Sequence, residues 1–161
     1  EALAACPADT PITLTLVGSD HGGYTEQMQA LAARLHLEDK VQFLGSRTDV
    51  PQLLQAADLF VHPATCQEGF GITLIEAMAS GVPCLAFPKG AIPEIIGPEI
   101  DGFLTEEVSA AALTARINRA LELFTKAPHH WHTLCKNARQ KAELFSIERT
   151  VAQLEALYQE Q

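Results

Sequence analysis

Two glutamates with seven residues between them, Glu68 and Glu76, lie in the stretch CQEGFGITLIEAMASGVPC, residues 66 to 84. An ionised carboxylate accepts hydrogen bonds at both oxygens, so a Glu beside a ligand cleft suits a pair of vicinal sugar hydroxyls, a ribose diol above all. Gly69 and Gly71 flank Phe70 and allow either a positive φ or a close approach of backbone to ligand. A helix beginning near Ile72 or Thr73 would point its first free amides at the same place, where the helix dipole favours a phosphate. Ile72, Ile75 and Ala79 are expected to face the core, which leaves Glu76 on a flank about one turn into the helix.

Each of these features also has a plain structural use. A Glu early in a helix is favoured by the dipole alone, and a glycine loop is often only a turn. The GxG here does not follow the dinucleotide fingerprint, which needs GxGxxG opening the first βαβ unit. Other reactive groups read as structural. His62 ends an apolar run before Pro63 and is taken as a packed or surface residue before a ligand contact; His21 is weighed the same way. His129, His130 and His132 stand at a helix start as surface residues, without metal-binding spacing. Cys6, Cys66, Cys84 and Cys135 form no CxxC and read as free thiols. There is no GxSxG elbow and no DxD-like pair to hold a diphosphate through a metal, so neither a metal nor a cofactor is expected.

The elements that must position these groups follow from periodicity. Residues 12–18 (ITLTLVG) read as a buried strand closed by Gly18, and 25–37 as a helix with Met28, Leu31, Ala32 and Leu35 on one stripe. Residues 41–45 (VQFLG) and 59–62 (LFVH) read as short strands on either side of a short helix capped by Thr48 or Asp49, with Pro51 in its first turn. VPCLAF (82–87) supplies another strand, KGAIPEII a loop into a short helix, and DGFLTEE a hairpin-sized edge piece. From Ser109 the pattern is helical only. Leu113, Ile117, Leu121 and Phe124 form one stripe, and two more helices cover about 130–144 and 147–159. Strands apolar on both faces and separated by helices argue a parallel sheet covered on both sides. Ligand sites in such sheets lie at the carboxyl ends of the strands, where the loops 18–23, 45–47, 63–71 and 88–93 would converge.

Composition narrows the classes. The 161 residues fit about one domain with a real core, and 47% hydrophobic with 19% charged residues is unlike disorder. A formal charge of −9, from 20 acidic and 11 basic residues, argues against a nucleic-acid partner. No apolar run approaches the roughly 20 residues that span a membrane, and the first residues lack the basic region of a signal peptide, so a cytoplasmic location is expected.

The stretch EGFGITLIEAMASGVPCLA resembles the EX7E signature of retaining glycosyltransferases of the GT-B fold, and more narrowly family 4, the glycosyltransferase group 1 family. The resemblance extends in order through ITLTLVGSD, LHLEDKVQFLGSRTDVPQLLQAADLFVHPATCQEGFG and GAIPEIIGPEIDGFLTEE, nearly the whole chain. It implies a Rossmann-like α/β domain with a C-terminal helical segment, binding a nucleotide-diphosphate sugar as donor. By carry-over, Glu76 would bind the ribose, and Glu68 would be the catalytic group that orients the donor sugar. The amides of Gly71, Ile72, Thr73 and Leu74 would hold the sugar and diphosphate. Gly18, Ser19 and Arg47 would line the phosphate and base region, and Lys89, Gly90 and Ala91 would border the sugar. The family's Arg and Lys pair, its acceptor-binding N-terminal domain and the first strand of this domain have no counterpart here. Residues 1–161 are accordingly expected to be a donor-binding fragment, inactive alone. Acceptor glycans, lipids or small molecules would bind elsewhere in the full-length enzyme, which would also carry any peripheral membrane association. Nucleotide base, sugar and acceptor are not readable. The alternatives are an epimerase or glycogen-synthase-like enzyme on the same scaffold, a non-catalytic nucleotide-sugar-binding module, and a generic flavodoxin-like domain.

Overall fold

Short apolar runs alternate with segments of helical period, and the chain folds accordingly into strands joined by helices. The structure, a computed structural model, describes residues 1–7, 10–20 and 22–159; His21 lies outside the described residues. The chain divides into two compact units, Glu1–Val50 and Pro51–Gln161.

In the first unit β1 (Leu14–Leu16), α1 (Tyr24–Arg34) and β2 (Val41–Phe43) form a βαβ arrangement. The strands pair in parallel with Leu14 opposite Val41 and Leu16 opposite Phe43, as a helical crossover between them requires. Ala32 is buried, and Met28, Leu31 and Leu35 are half-buried on the same side, so the expected stripe of α1 holds. The ladder runs on past the strands: Leu44 N–H donates to the Leu16 carbonyl and Gly18 N–H to the Gly45 carbonyl, both at 3.0 Å.

The second unit contains α2 (Val50–Gln55, entering it at Pro51), β3 (Phe60–His62), α3 (Ile72–Ala79), β4 (Cys84–Ala86), α4 (Ile92–Ile95) and β5 (Gly102–Leu104). Three long helices follow, α5 (Ala110–Lys126), α6 (Pro128–Ala142) and α7 (Ile147–Gln159). β4 is central and pairs in parallel with β3 on one side and β5 on the other. The expected single sheet is thus two hydrogen-bonded sheets, one in each unit. The hairpin-sized edge piece expected over DGFLTEE is an edge strand, β5, paired in parallel and preceded by a turn in which Glu99 N–H donates to the Gly102 carbonyl at 2.7 Å.

Period-two alternation divides the three-stranded sheet between two cores. Phe60, Cys84, Ala86 and Leu104 pack with α3 and the C-terminal half of α6, through Leu74, Ala77, Met78, Ala138 and Ala142. Val61, Leu85 and Phe103 point the other way and pack with α5 and the start of α6, through Ala120, Leu123, Leu134 and Trp131. A strand apolar on both faces needs cover on both, and the helices supply it. The Cys84 thiol adds a tie by donating to the Leu74 carbonyl at 3.5 Å, and its burial holds it protonated.

Two stripes differ from their expected registers. α3 buries Leu74, Ala77 and Met78 and packs the half-buried Ile75 against them as expected, whereas Ile72 is 63% exposed and Ala79 is exposed. The helix starts at Ile72, so its first side chain projects past the end of the core and the i, i+3, i+4 stripe begins two residues later. α5 turns Leu113, Ile117, Ala120 and Leu123 to the core in place of Leu121 and Phe124, because steps of four must alternate with steps of three to follow 3.6 residues per turn. Phe124 instead sets its ring edge-on to Trp131, at 5.4 Å and 85°. The Ser109 hydroxyl accepts from Ala112 N–H at 3.0 Å and caps α5. Glu99 ties the turn before β5 to α5 by ion pairs to Arg119 (3.0 Å) and Arg116 (3.3 Å). Ile147, Val151 and Leu154 form an exposed stripe on α7. Among the described residues no helix is long and apolar enough to cross a membrane.

Phe103 is 1% exposed at the centre of the second core. Phe103→Ala is expected to destabilise the chain by about 3–5 kcal/mol, read as a lowered midpoint in urea unfolding followed by Trp131 fluorescence.

Candidate functional site

The carboxyl ends of β3 and β4 open into two loops, 63–71 and 87–91, and Glu68 sits where they meet. Most of the first loop is exposed, but Glu68 is half-buried and held at three points. Its Oε1 accepts from Gly71 N–H at 3.1 Å, and its Oε2 lies 3.3 Å from His62 Nε2. Its backbone carbonyl accepts from Ala91 N–H at 3.0 Å, which joins the two loops. The amides of Gly71 and, secondarily, Phe70 hold the Glu68 carboxyl below the usual carboxylate range, with a smaller contribution from His62. Glu68 is therefore an ionised, acceptor-only group with both oxygens engaged and lone pairs left over for hydroxyl donors.

Two glycines make this arrangement possible. Gly90 has φ +58°, and a β-carbon there would overlap the carbonyl of Glu68 and stand 2.6 Å from its amide nitrogen. Gly71 has φ +81°, and a β-carbon there would meet Ile95 Cδ1 at 3.0 Å. Only glycine tolerates both the conformation and the approach. Gly71 N-caps α3 without any side-chain cap, and its carbonyl already accepts from Leu74 and Ile75 N–H.

These bonds sort the four amides expected to face a ligand. Gly71 N–H is taken by Glu68 and Leu74 N–H by Gly71. Ile72 and Thr73 N–H make no hydrogen bond among the described residues, so they are the two that remain open at the positive end of α3. Glu76 is exposed on the same helix, and its side chain makes no hydrogen bond among the described residues. Lys89 is half-buried beside Gly90 with its ammonium in no ion pair among the described residues. α3, β3 and the 87–91 loop thus bring together Glu68, Gly71, Ile72, Thr73, Lys89 and Gly90, with Glu76 one turn along.

Gly18, Ser19 and Arg47 belong to the first unit. Gly18 is fastened to Gly45 by the ladder bond already described. Arg47 is held by Asp49 in a two-pronged ion pair, Nε to Oδ1 at 2.8 Å and Nη2 to Oδ2 at 2.7 Å. That pairing offsets the cation expected to serve a phosphate, and it occupies an Asp49 expected as a helix cap. His129, His130 and His132 are exposed on α6, as read from the sequence.

Two features of the site escape sequence reasoning. The His62–Glu68 contact is one, because six residues and a Pro63 turn separate the partners without periodic spacing. The other is the edge-on contact of the exposed Phe70 ring with Phe145, at 6.1 Å and 82°, which braces the loop from the C-terminal segment.

Fold and site together define a Rossmann-like α/β domain with a helix N-terminus and a fixed carboxylate at the carboxyl ends of parallel strands. The profile of the family described as "Glycosyl transferases group 1" matches residues 1–141, and the chain belongs to that family. It is 35% identical over 159 residues to the N-acetyl-alpha-D-glucosaminyl L-malate synthase of Bacillus anthracis, covering 98% of this chain and 40% of that protein. Among solved structures, Anabaena HepE in complex with UDP superposes with a TM-score of 0.83 at 33% identity, over 96% of this chain and 43% of HepE. The C-terminal domain of a Francisella tularensis group 1 glycosyl transferase, LpcC, shares the fold at 22% identity and TM-score 0.77, over 91% of this chain and 76% of that one. The chain spans between 31% and 41% of the length of curated relatives such as these.

Gly90→Ala is expected to push the 87–91 loop off residue 68 while leaving the cores intact. Hydrogen exchange of the Ala91 amide should accelerate by at least about tenfold as its bond to Glu68 is lost, with cooperative unfolding preserved. The Glu68 δ-carboxyl, followed by carbon NMR, should titrate below the ordinary value of about 4.3. Because the folded pKa is depressed, the stabilisation from its ionised form is complete above that ordinary value. It disappears as pH falls through the lower folded value.

Proposed function

We propose that this chain is the donor-binding part of a retaining glycosyltransferase of family 4, which moves a glycosyl group from a nucleotide-diphosphate sugar to an acceptor hydroxyl. The observation that carries the reading is the N-terminus of α3. There the open amides of Ile72 and Thr73 sit between a fixed Glu68 and an exposed Glu76. Two parallel N–H groups at a helix N-terminus suit a diphosphate oxygen, including the charge that grows as the leaving group departs. Glu76 on the flank of α3 accepts from the ribose diol. Glu68 accepts from hydroxyls of the donor sugar and sets its orientation; as an electrostatic group it also favours positive charge developing at the anomeric carbon. Lys89 and Gly90 border the sugar, and the Lys89 ammonium, in no ion pair among the described residues, is a cation open to the donor.

Membership of the family supports the transferase reading, and HepE, solved with UDP and with UDP-glucose, supports a nucleotide-sugar donor with uridine the first base to test. The acceptor is assigned to residues outside this chain, in keeping with the length of the relatives. No glycosidase-like pair of flanking carboxylates is invoked, so Glu68 acts by orientation and field and not as a nucleophile.

Calorimetric titration of the chain with UDP, GDP and ADP tests the reading. One nucleotide should bind selectively, and Glu76→Ala should weaken it by about 1.5–3 kcal/mol, with thermal unfolding unchanged because the residue is exposed. Equal affinity in the variant would overturn the ribose assignment. No binding of any nucleotide by the folded chain would overturn the donor reading for these residues.

A further inference from the structure

The site carboxylate hangs from an exposed loop, yet one of its oxygens is referenced directly to the sheet. His62 is the last residue of β3, opposite Ala86 of the central strand, so its Cα is fixed by the ladder. Its ring lies parallel to that of Phe60, two residues earlier on the same face, at 6.3 Å and 24°. Its side chain is 18% exposed and that of Glu68 28%. The ring is therefore packed on one side and presents Nε2 to Glu68 Oε2 at 3.3 Å.

We infer that His62 is a positioning residue that holds the Glu68 carboxylate in one orientation for the donor sugar, an inference that rests on the reading of Glu68 given above. The chemistry assigns the tautomer. An ionised carboxylate only accepts, so the proton of the neutral ring resides on Nε2 and Nδ1 is the acceptor nitrogen. Gly71 N–H, helped by the Phe70 amide, anchors the carboxylate to its own loop and leaves it free to swing with that loop. The donor from His62 at the other oxygen removes the swing, and two anchored oxygens define the plane in which the remaining lone pairs meet sugar hydroxyls. Group positions within about half an ångström matter for such contacts. The strand end, the stacked Phe60 and the clamp by Ala91 N–H make the support rigid from three directions.

Three variants separate positioning from packing. In His62→Gln the side-chain amide reaches the place of Nε2, in His62→Asn it stops short, and in His62→Leu the volume stays without a donor. The first readout is NMR on the unliganded chain. Long-range nitrogen–proton correlations should show the Nε2–H tautomer at a pH where the ring is neutral. In the Leu and Asn variants the Glu68 γ-methylene should become rotationally averaged and the Gly71 amide proton should shift, while the amides of β4 stay in place; the Gln variant should keep the wild-type signals. The second readout is affinity for UDP and UDP-glucose. The Leu and Asn variants should lose about 5–20-fold for UDP-glucose and less than about twofold for UDP, and Gln should restore the former.

An Nδ1–H tautomer, or unchanged Glu68 and Gly71 signals in both the Leu and Asn variants, overturns the inference whatever the affinities. Equal losses for UDP and UDP-glucose also overturn it, as damage to the whole site. A wild-type chain that binds UDP-glucose no better than glucose overturns the donor reading instead, and the tautomer and side-chain signals still decide whether His62 positions Glu68.

Discussion

A side chain at position 90 would run into the backbone of Glu68, and from that single exclusion much of the site follows. Because residue 90 presents no β-carbon, the loop leaving β4 lies directly against the loop leaving β3, and Ala91 N–H reaches the Glu68 carbonyl. With the backbone of Glu68 located, its side chain can meet both the amide of Gly71, the residue that N-caps α3, and the imidazole at the end of β3. The two loops thus behave as one piece, whose position is set by neighbouring strands of one sheet. A carboxylate delivered by a free loop would pay for its ordering on every binding event; here the fold has already ordered it.

The sheet can serve as that reference because its alternation is committed on both faces. Slipping β3 by one residue against β4 would carry Phe60 out of one core and Val61 out of the other. The same register sets His62 on the α3 side, the side on which Glu68 arrives. α6 strengthens the link by contributing Leu134 to one core and Ala138 and Ala142 to the other. The site therefore inherits its geometry from packing several residues away from any polar group.

The parts of this arrangement legible in the sequence are those governed by short periods and by particular residue types. Apolar runs mark β1 to β4, while β5 lies in the stretch read as a hairpin-sized edge piece; each shows three ladder residues among the described residues. Glycines and the Glu pair marked the loop and helix of the site. The start of α3 near Ile72 is legible, but its inward face is not: Leu74, Ala77 and Met78 are buried with Ile75 beside them, and Ile72 and Ala79 stay outside. Contacts between loops left no trace in spacing. Nothing in the run from His62 to Glu68 requires their side chains to meet, and the tie between Arg47 and Asp49 looked equally like a free cation and a helix cap.

Among the described residues every strand pair in both sheets is parallel, and none is closed by a hairpin turn. This has a consequence for how the chain acquires its structure. Phe60 cannot meet Cys84, nor Cys84 meet Gly102, until an intervening helical segment has been folded back. Each pairing thus bears a loop-closure entropy before its hydrogen bonds return anything. The sheet is then a late product of helix docking and not a template for it, and refolding belongs with slow, non-locally connected α/β chains despite the modest length. Until that closure, the run around VPCLAF, which ends as the most deeply buried strand, is exposed as an unpaired apolar segment. The same residues that finally anchor the site are those most prone to association while the chain is still open.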